Sequence, residues 1–334
     1  MELVNCDLCG SADNAAVAHQ TDRLHATTDE NFTVVRCAGC GLHYLNPRPG
    51  PNEISRYYGQ GYSFHALPSR MRRAAGAALE WLANSPFASL LAIWPPMGRR
   101  LVAHLKPGLR DPVRAYFKAG GRGSFLDIGC GSGVHAHFWG YRGSLLAYRA
   151  LAPVAGVETA AGARAALANA GVAVHASLAE VPAGESFGMI RMNWSLEHVH
   201  APSDYFRFIA DRLIPGGQAV IAVPNYGGML YRLAPDCVEV PVHLYHFRTG
   251  DIHRYAQKVG LKVRQTVTFS YPQMFVVAAR AGMLPLPFTN FENFSEARAF
   301  AHALKVIDQC GMGNDVVVTL EKPHTEGASA TDAQ

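Results

Sequence analysis

Short apolar runs alternate with amphipathic stretches along the second half of the chain. From about residue 124, these runs are bounded by glycine or polar residues and separated by segments with helical spacing. Buried strands of a parallel sheet give such runs, and helices between them cover the sheet faces. The pattern predicts an α/β fold with a sheet of about seven strands, mostly parallel. The predicted strands are 125–128, 153–158, 171–176, 188–193, 218–223, 263–269 and 315–320.

The first third of the chain has a different pattern. Residues 1–50 read as a small lobe that ends in Asn46-Pro-Arg-Pro-Gly50, where the prolines and glycine break any continuing element. Residues 51–120 read as helical, with Met71, Ala75, Ala78 and Leu82 predicted to form one buried face. Four units are therefore predicted: a lobe (1–50), a helical linker or lid (51–120), the main domain (121–323) and a disordered tail (324–334).

Composition and charge narrow the class. With 49% hydrophobic and 17% charged residues among 334, the chain can bury one large core and a smaller one. Residues 65–120 hold nine basic and two acidic residues, a local excess of +7 in a chain of net +4. This field favours an anionic partner. With Trp81, Phe87 and Trp94, the basic region 70–118 could contact a membrane surface or a second copy of the chain in a homodimer.

A glycine-rich turn follows the first predicted strand of the main domain. Asp127-Ile-Gly-Cys-Gly-Ser-Gly133 has glycine at alternate positions, which lets backbone approach a ligand closely. The spacing differs from the GxGxxG of dinucleotide sites. Asp127 would favour a cationic group and repel a pyrophosphate, and Glu158 at the end of the next strand could accept both hydroxyls of a ribose.

At these residues the chain resembles the class I S-adenosylmethionine-dependent methyltransferases, over about residues 124–320. Trp194-Ser-Leu-Glu-His-Val199 and Leu213-Ile-Pro-Gly-Gly217 extend the resemblance. It implies a Rossmann-like sheet and S-adenosylmethionine as cofactor. It also implies the binding residues: Asp127, Gly129, Cys130, Gly131 and Gly133 at the methionine portion, Glu158 at the ribose, Ser177 and Leu178 at the adenine, and Asn193 and Trp194 along the floor.

Two Cys-x-x-Cys pairs, Cys6 with Cys9 and Cys37 with Cys40, lie in the N-terminal lobe. The first residues show no basic segment followed by an apolar one, as a signal peptide would have, so we expect a cytoplasmic location. This expectation includes peripheral contact with the inner membrane surface. In such a reducing compartment, paired thiolates favour a metal over disulfides. Four thiolates fill a tetrahedral zinc ion and leave no open position, so the pattern predicts a structural Zn²⁺ site. With the Asn46-Pro-Arg-Pro segment, this lobe is similar to those of sugar- and glycan-modifying methyltransferases.

Histidines are the candidate bases. Methyl transfer is an in-line displacement, and a hydroxyl acceptor must lose a proton, which a histidine can accept near neutral pH. The resemblance brings two sites forward: Glu197-His198 after the fourth strand, and His243-Leu-Tyr-His246-Phe after the fifth. His243 is the first candidate for the base, with His198, Tyr245 and His246 as helpers or substrate ligands. Glu197 could join them or cap the following helix.

Three functions follow from these patterns. The leading one is methyl transfer to a hydroxyl of a sugar, nucleotide sugar or glycan. A phenol or quinone acceptor is the second, although the relatives with such acceptors hold a divalent cation through an acid at the position of Trp194, so no catalytic cation is expected here. A catalytically silent binding protein with a zinc lobe is the third. No nucleic-acid partner is expected, because the overall charge is modest.

Overall fold

The computed structural model describes residues 1–58, 70–91, 95–102, 104–105, 110–133, 145–284 and 294–324. Nearly all of the predicted tail 324–334 lies outside these ranges, as does part of the basic region. The strands are β1 (Asn14–Gln20), β2 (Phe32–Cys37), β3 (His43–Leu45), β4 (Ser124–Ile128), β5 (Val154–Val157), β6 (Ala173–His175), β7 (Phe187–Asn193), β8 (Leu213–Pro224), β9 (Tyr245–His246), β10 (Lys262–Phe269) and β11 (Asp315–Glu321).

Ten helices stand between and before these strands in the described ranges. They are α1 (Arg70–Ala83), α2 (Ala88–Leu91), α3 (Pro95–Val102), α4 (Pro112–Lys118), α5 (Ala161–Asn169), α6 (Pro202–Arg212), α7 (Met229–Leu233), α8 (Thr249–Lys258), α9 (Pro272–Arg280) and α10 (Phe294–Gln309).

The main sheet has seven strands in the order β10-β11-β8-β7-β4-β5-β6. Strand β11 is antiparallel to both of its neighbours, whereas the strands from β8 to β6 are parallel. This confirms the predicted α/β class and strand number. The order reverses beside β4, where β5 lies on one side and β7 on the other, and a crevice at such a point is where open parallel sheets bind ligands.

A second sheet joins the N-terminal lobe to the main domain. Its order is β1-β2-β3-β9, so its fourth strand comes from the predicted histidine segment 243–247. His43 lies opposite His246, and Tyr44 lies opposite Tyr245, in antiparallel register. One apolar core runs through both parts of the chain, from Leu8 and Phe32 in the lobe to Ile190 in the central strand β7. The boundary at residue 50 stays a prediction, because the packing is continuous across it.

The helical region differs from its prediction in two respects. Residues 51–58 contain only a short 3₁₀ turn, Ile54–Tyr57, where a longer helix was expected. The predicted face of α1 is wrong as well, since the Met71 side chain is 84% exposed. Packing instead involves Leu79, Leu82 and Ala83 at the end of the helix, which share an apolar cluster with Leu101 and Val102 of α3.

Within the described ranges, no helix is long and apolar enough to span a bilayer. Trp81 and Phe87 are exposed, at 65% and 58%. Membrane contact through residues 70–118, a homodimer and the cytoplasmic location remain predictions.

Candidate active site and metal centre

The glycine turn sits where β4 ends. Gly129, Gly131 and Gly133 have φ angles of +75°, +52° and +73°, a region that favours glycine. A Cβ atom at Gly129 would lie 2.4 Å from Cβ of Ser195, and one at Gly133 would lie 2.3 Å from Cδ2 of Leu167. Glycine is therefore required at two of the predicted positions, both by the backbone conformation and by close packing against neighbouring side chains.

Glu158 closes the other side of this turn. Its buried carboxylate follows β5 and accepts hydrogen bonds from the backbone amides of Gly131 (2.7 Å) and Ala160 (2.8 Å). Glu158 thus lies beside the glycine turn. Its action on a ribose stays a prediction.

Asp127 has a partner that the sequence did not indicate. Its two carboxylate oxygens accept hydrogen bonds from Nε and Nη2 of Arg191 on β7, at 2.8 and 2.6 Å, and both side chains are buried. The guanidinium carbon also lies 5.4 Å from the ring centres of Phe125 and Tyr148. Arg191 thus already balances the negative charge of Asp127. The electrostatic attraction predicted between Asp127 and the cationic methionine portion of the cofactor is therefore weaker.

The floor of the crevice is formed where β7 ends. Asn193 Oδ1 is buried and has no hydrogen-bond partner among the described residues. Trp194 follows with a φ of +49°, and its indole nitrogen donates to Asp315 Oδ1 at 2.8 Å. Burial raises the pKa of Asp315 to about 7, against the lowering effect of that hydrogen bond.

These groups fit the cofactor that the sequence implies. S-adenosylmethionine carries an ammonium group and ribose hydroxyls, which need acceptors. Asn193 Oδ1 and the Glu158 carboxylate supply acceptors at the ends of β7 and β5, the two strands that flank β4. Ser177 and Leu178 lie after β6, one strand beyond Glu158, where an adenine would extend. Cys130 is buried, and its sulfur lies behind the turn, against Gly156 of β5.

The candidate base region lies directly beside the turn. Ser195 donates from Oγ to the carbonyl of Ile128 at 3.0 Å, and the 3₁₀ turn Leu196–His198 follows. The Glu197 carbonyl accepts the amide of Leu244 at 2.8 Å, which brings the second histidine segment to the first. The His198 and His243 rings are 4.6 Å apart, and His243 Nε2 lies 4.0 Å from Glu197 Oε1. The structure therefore joins three of the predicted residues, which we call the histidine cluster: Glu197, His198 and His243.

Burial controls protonation in the histidine cluster. It lowers the pKa of His198 to about 3, with His243 acting in the same direction, and it lowers the pKa of His243 against the opposing charge of Glu239. Burial also raises the pKa of Glu197 well above its usual value. Both rings are therefore neutral near pH 7 and offer a lone pair to a proton or a cation.

Three further residues lie near the cluster, and two of them, Glu239 and His25, were missed by the sequence reasoning. Tyr58 places its hydroxyl 3.1 Å from His198 Nδ1. Glu239 lies 3.8 Å from His243 Nε2 and 2.9 Å from Nε2 of His25, which comes from the N-terminal lobe. Although burial opposes the shift, the charges of His243 and His25 lower the pKa of Glu239 to about 2. Only the i,i+4 spacing of Glu239 and His243 could have indicated any of these contacts.

The other two predicted helpers have different surroundings. The Tyr245 hydroxyl accepts from Arg48 at 2.9 Å and donates to the carbonyl of His200, so it faces the lobe. His246 is buried near Tyr226, and its Nε2 has no partner among the described residues. Neither residue belongs to the histidine cluster, but both line one small cavity together with His243.

The four predicted zinc ligands come together in the lobe. The Sγ atoms of Cys6, Cys9, Cys37 and Cys40 all lie within 4.8 Å of one another. The Cys9–Cys37 pair is 3.4 Å apart and the Cys6–Cys40 pair 3.5 Å. Each Cys-x-x-Cys turn ends in a left-handed glycine: Gly10 donates its amide to the carbonyl of Cys6, and Gly41 to that of Cys37. Such an arrangement of four thiolates fits a closed tetrahedral Zn²⁺ site.

Polar contacts tie this lobe to helix α8. Arg248 donates to the Gly41 carbonyl at 2.6 Å, and Tyr255 donates to Asp7 Oδ2 at 2.8 Å. The second oxygen of Asp7 accepts from the hydroxyl of Ser203 on α6 at 2.9 Å. The metal-binding turns therefore rest on the same elements that flank the histidine segment.

Comparison with known proteins defines the enzyme class. Residues 101–266 match a protein-family model described as a methyltransferase domain. Together with the seven-stranded sheet and its glycine turn, this match makes the chain an S-adenosylmethionine-dependent methyltransferase with a class I fold. A search of curated proteins found no match.

Solved structures give only distant similarities. An S-adenosylmethionine-dependent methyltransferase from Mesorhizobium loti is 16% identical, with 62% of this chain and 96% of that chain covered and a TM-score of 0.41. A possible histamine N-methyltransferase from Thermotoga maritima is 16% identical, with 72% and 99% covered and a TM-score of 0.42. An S-adenosylmethionine-dependent methyltransferase from Archaeoglobus fulgidus is 15% identical, with 63% of this chain and 90% of that chain covered and a TM-score of 0.42. At these values the similarities say nothing about the substrate.

Proposed function

We propose that the protein transfers the methyl group of S-adenosylmethionine to a hydroxyl of a sugar, nucleotide sugar or glycan. The observation that carries this proposal is the contact of the glycine turn with Ser195, which lies two residues before Glu197 of the histidine cluster. Gly129 packs on Ser195, and Glu197 and His198 follow within three residues. A proton-accepting group thus stands next to the end of the crevice where the donor would present its methyl group.

The proton of the acceptor is assigned to the histidine cluster. A sugar hydroxyl is a weak acid, and a neutral imidazole is a suitable acceptor for its proton as the oxygen–carbon bond forms. His243 is the first candidate, since its Nε2 lies between the carboxylates of Glu197 and Glu239. The carboxylate of Glu239, whose pKa is lowered to about 2 by its histidine neighbours against the effect of burial, would stabilise the imidazolium that forms.

The glycan class of acceptor is supported by the architecture of the lobe. The sequence resemblance to sugar- and glycan-modifying enzymes rests on the cysteine pairs and on the His-Leu-Tyr-His-Phe segment. In the fold these two features share one sheet, through the pairing of β3 with β9. The features that carry the resemblance therefore form one structural unit beside the candidate acceptor site.

The test is a methyl-transfer assay with labelled S-adenosylmethionine and a panel of nucleotide sugars, oligosaccharides, phenols and quinols. Transfer to a saccharide and none to phenols would support the proposal. Transfer only to phenols would replace the acceptor class. Calorimetry with S-adenosylmethionine runs beside the assay, and absence of binding would overturn the proposal in favour of a silent binding protein.

A further inference from the structure

Glu197 is buried in the candidate site without a counter-charge. Its side chain is 1% exposed, and neither carboxylate oxygen meets a hydrogen-bond donor of another described residue. Burying such a group without a partner costs at least about 1–3 kcal/mol. In native structures this situation calls for a water or an ion. Glu197 therefore indicates a ligand that is cationic or donates hydrogen bonds.

His198 has one ring nitrogen engaged with the backbone. Its Nδ1 lies 2.9 Å from the carbonyl of Val242, which can only accept a hydrogen bond. Nδ1 must therefore carry the proton, and Nε2 keeps the lone pair. Metal-binding histidines are commonly fixed in this way, with one nitrogen held by a backbone carbonyl and the other on the metal.

His243 completes the set from a distant part of the chain. The 4.0 Å between its Nε2 and Glu197 Oε1 is too long for a hydrogen bond. Bonds of about 2.0–2.2 Å from a metal to nitrogen or oxygen place two ligands of one ion as far as about 4 Å apart. One ligand atom from each of Glu197, His198 and His243 lies within 4.8 Å of the other two. A small inward movement would bring all three onto one ion.

Two neighbours limit the set to three. Glu239 approaches the same nitrogen of His243, but its Oε2 is already paired with His25 at 2.9 Å. Trp194, at the position where an acid would have indicated a cation, donates its indole N–H to Asp315 and has no lone pair to offer a metal. The third metal ligand, His243, comes from the segment after β8, so the local Glu197-His198 motif could not reveal it.

We infer that Glu197, His198 and His243 bind one divalent transition-metal ion, with Zn²⁺ the natural candidate for two imidazoles and a carboxylate. Three protein ligands leave a position open, as catalytic zinc sites do. The inference rests on the proposed function and deepens it: His243 becomes a metal ligand instead of the base, and the open position would take the acceptor oxygen. A bound cation lowers the pKa of such a hydroxyl. Its proton then leaves to water, the oxygen bonds the methyl carbon, and the carbon–sulfur electron pair returns to sulfur as S-adenosylhomocysteine forms.

The metal count of the full chain tests the inference without an acceptor. Wild-type protein is saturated with Zn²⁺, freed of loose metal by gel filtration and measured by elemental analysis. An organomercurial that attacks thiolates then releases the zinc of the four cysteines, and later unfolding releases the rest. We expect two zinc ions per chain in the wild type, and only the one bound by the four cysteines in Glu197→Gln and His243→Gln. Glu180→Gln and His253→Gln, whose side chains lie outside the cluster, should keep both ions.

One zinc ion in the wild type, released entirely by the mercurial, would overturn the inference and leave His243 as the base. So would a second ion that survives Glu197→Gln and His243→Gln. Circular dichroism of each variant establishes that it is folded, and His198→Gln gives an independent ligand variant should one of the others fail. Loss of S-adenosylmethionine binding would instead defeat the proposed function, so the two failures are distinguishable.

Discussion

Tyr44 of the N-terminal lobe and Tyr245 of the methyltransferase domain lie opposite each other in paired antiparallel strands. Their rings are 6.2 Å apart at the centres. The amide of Leu45 also donates to the carbonyl of Leu244 at 2.9 Å. Because Leu244 follows His243 directly, the lobe holds in place the segment that carries the candidate base. The four cysteines therefore bear on the active site through the sheet they support.

Removal of the lobe metal should loosen β9 and leave the central strands intact. Chelation would free the turns after Cys9 and Cys40, so the pairing of β3 with β9 would lose its support. We expect faster amide exchange in residues 242–247 and unchanged exchange in β4 and β7, measured by mass spectrometry before and after chelation. Unchanged protection of residues 242–247 would show that β9 does not depend on the metal.

Loss of the Glu158 carboxylate should weaken cofactor binding. Charge-assisted hydrogen bonds contribute about 1.5–3 kcal/mol, so Glu158→Gln should raise the Kd for S-adenosylmethionine about tenfold to a hundredfold. Titration calorimetry measures this effect. Glu185→Gln, at a half-buried turn away from the glycine turn, serves as the control and should bind as the wild type does. An unchanged Kd in Glu158→Gln would remove this residue from the cofactor site.

The buried Asp127–Arg191 pair should matter for folding. Taking away Arg191 leaves an uncompensated carboxylate in the core, which costs about 3–5 kcal/mol. Arg191→Met should therefore lower the free energy of unfolding by about that amount in denaturant titrations. Arg207→Met breaks an exposed pair with Asp204 and should cost about 1 kcal/mol or less. Equal effects in the two variants would contradict a structural role for the buried pair.

Asp315 should make stability depend on pH. Its pKa is raised by burial to about 7, from an ordinary value of 3.8, so the folded state disfavours the charged form. The stability lost on ionisation is absent below about pH 4 and grows as pH rises towards 7, at up to about 1.4 kcal/mol per pH unit. Asp315→Asn keeps an oxygen for the Trp194 indole and should flatten this part of the profile. The measurement is the free energy of unfolding from pH 5 to 8 in both proteins, and parallel profiles would refute the assignment.

The class of fold followed from the sequence because its signals are local. The apolar runs that became β4 to β8, the glycine turn and the two Cys-x-x-Cys turns each lie within a few residues. The zinc ligands could be named for the same reason. The buried face of α1 failed because amphipathic spacing does not tell how much of a helix its neighbour covers.

The long-range part of the site lay beyond sequence reasoning. Arg191 reads as an ordinary polar residue in a strand, and nothing near it names Asp127 as its partner. The approach of His25 to Glu239 crosses 214 positions of the chain. The meeting of His243 with Glu197 depends on the register of β9 against β3. Such contacts depend on tertiary packing between distant parts of the chain. They leave no local pattern in a single sequence.

The shared sheet also constrains how this enzyme could be recombined with its relatives. Strand β9 is the edge strand of the lobe's sheet and pairs with β3. Replacing residues 1–48 alone with those of a relative would therefore disturb the pairing of β3 with β9. A chimera that carries the lobe and residues 243–247 from one parent would keep the interface matched.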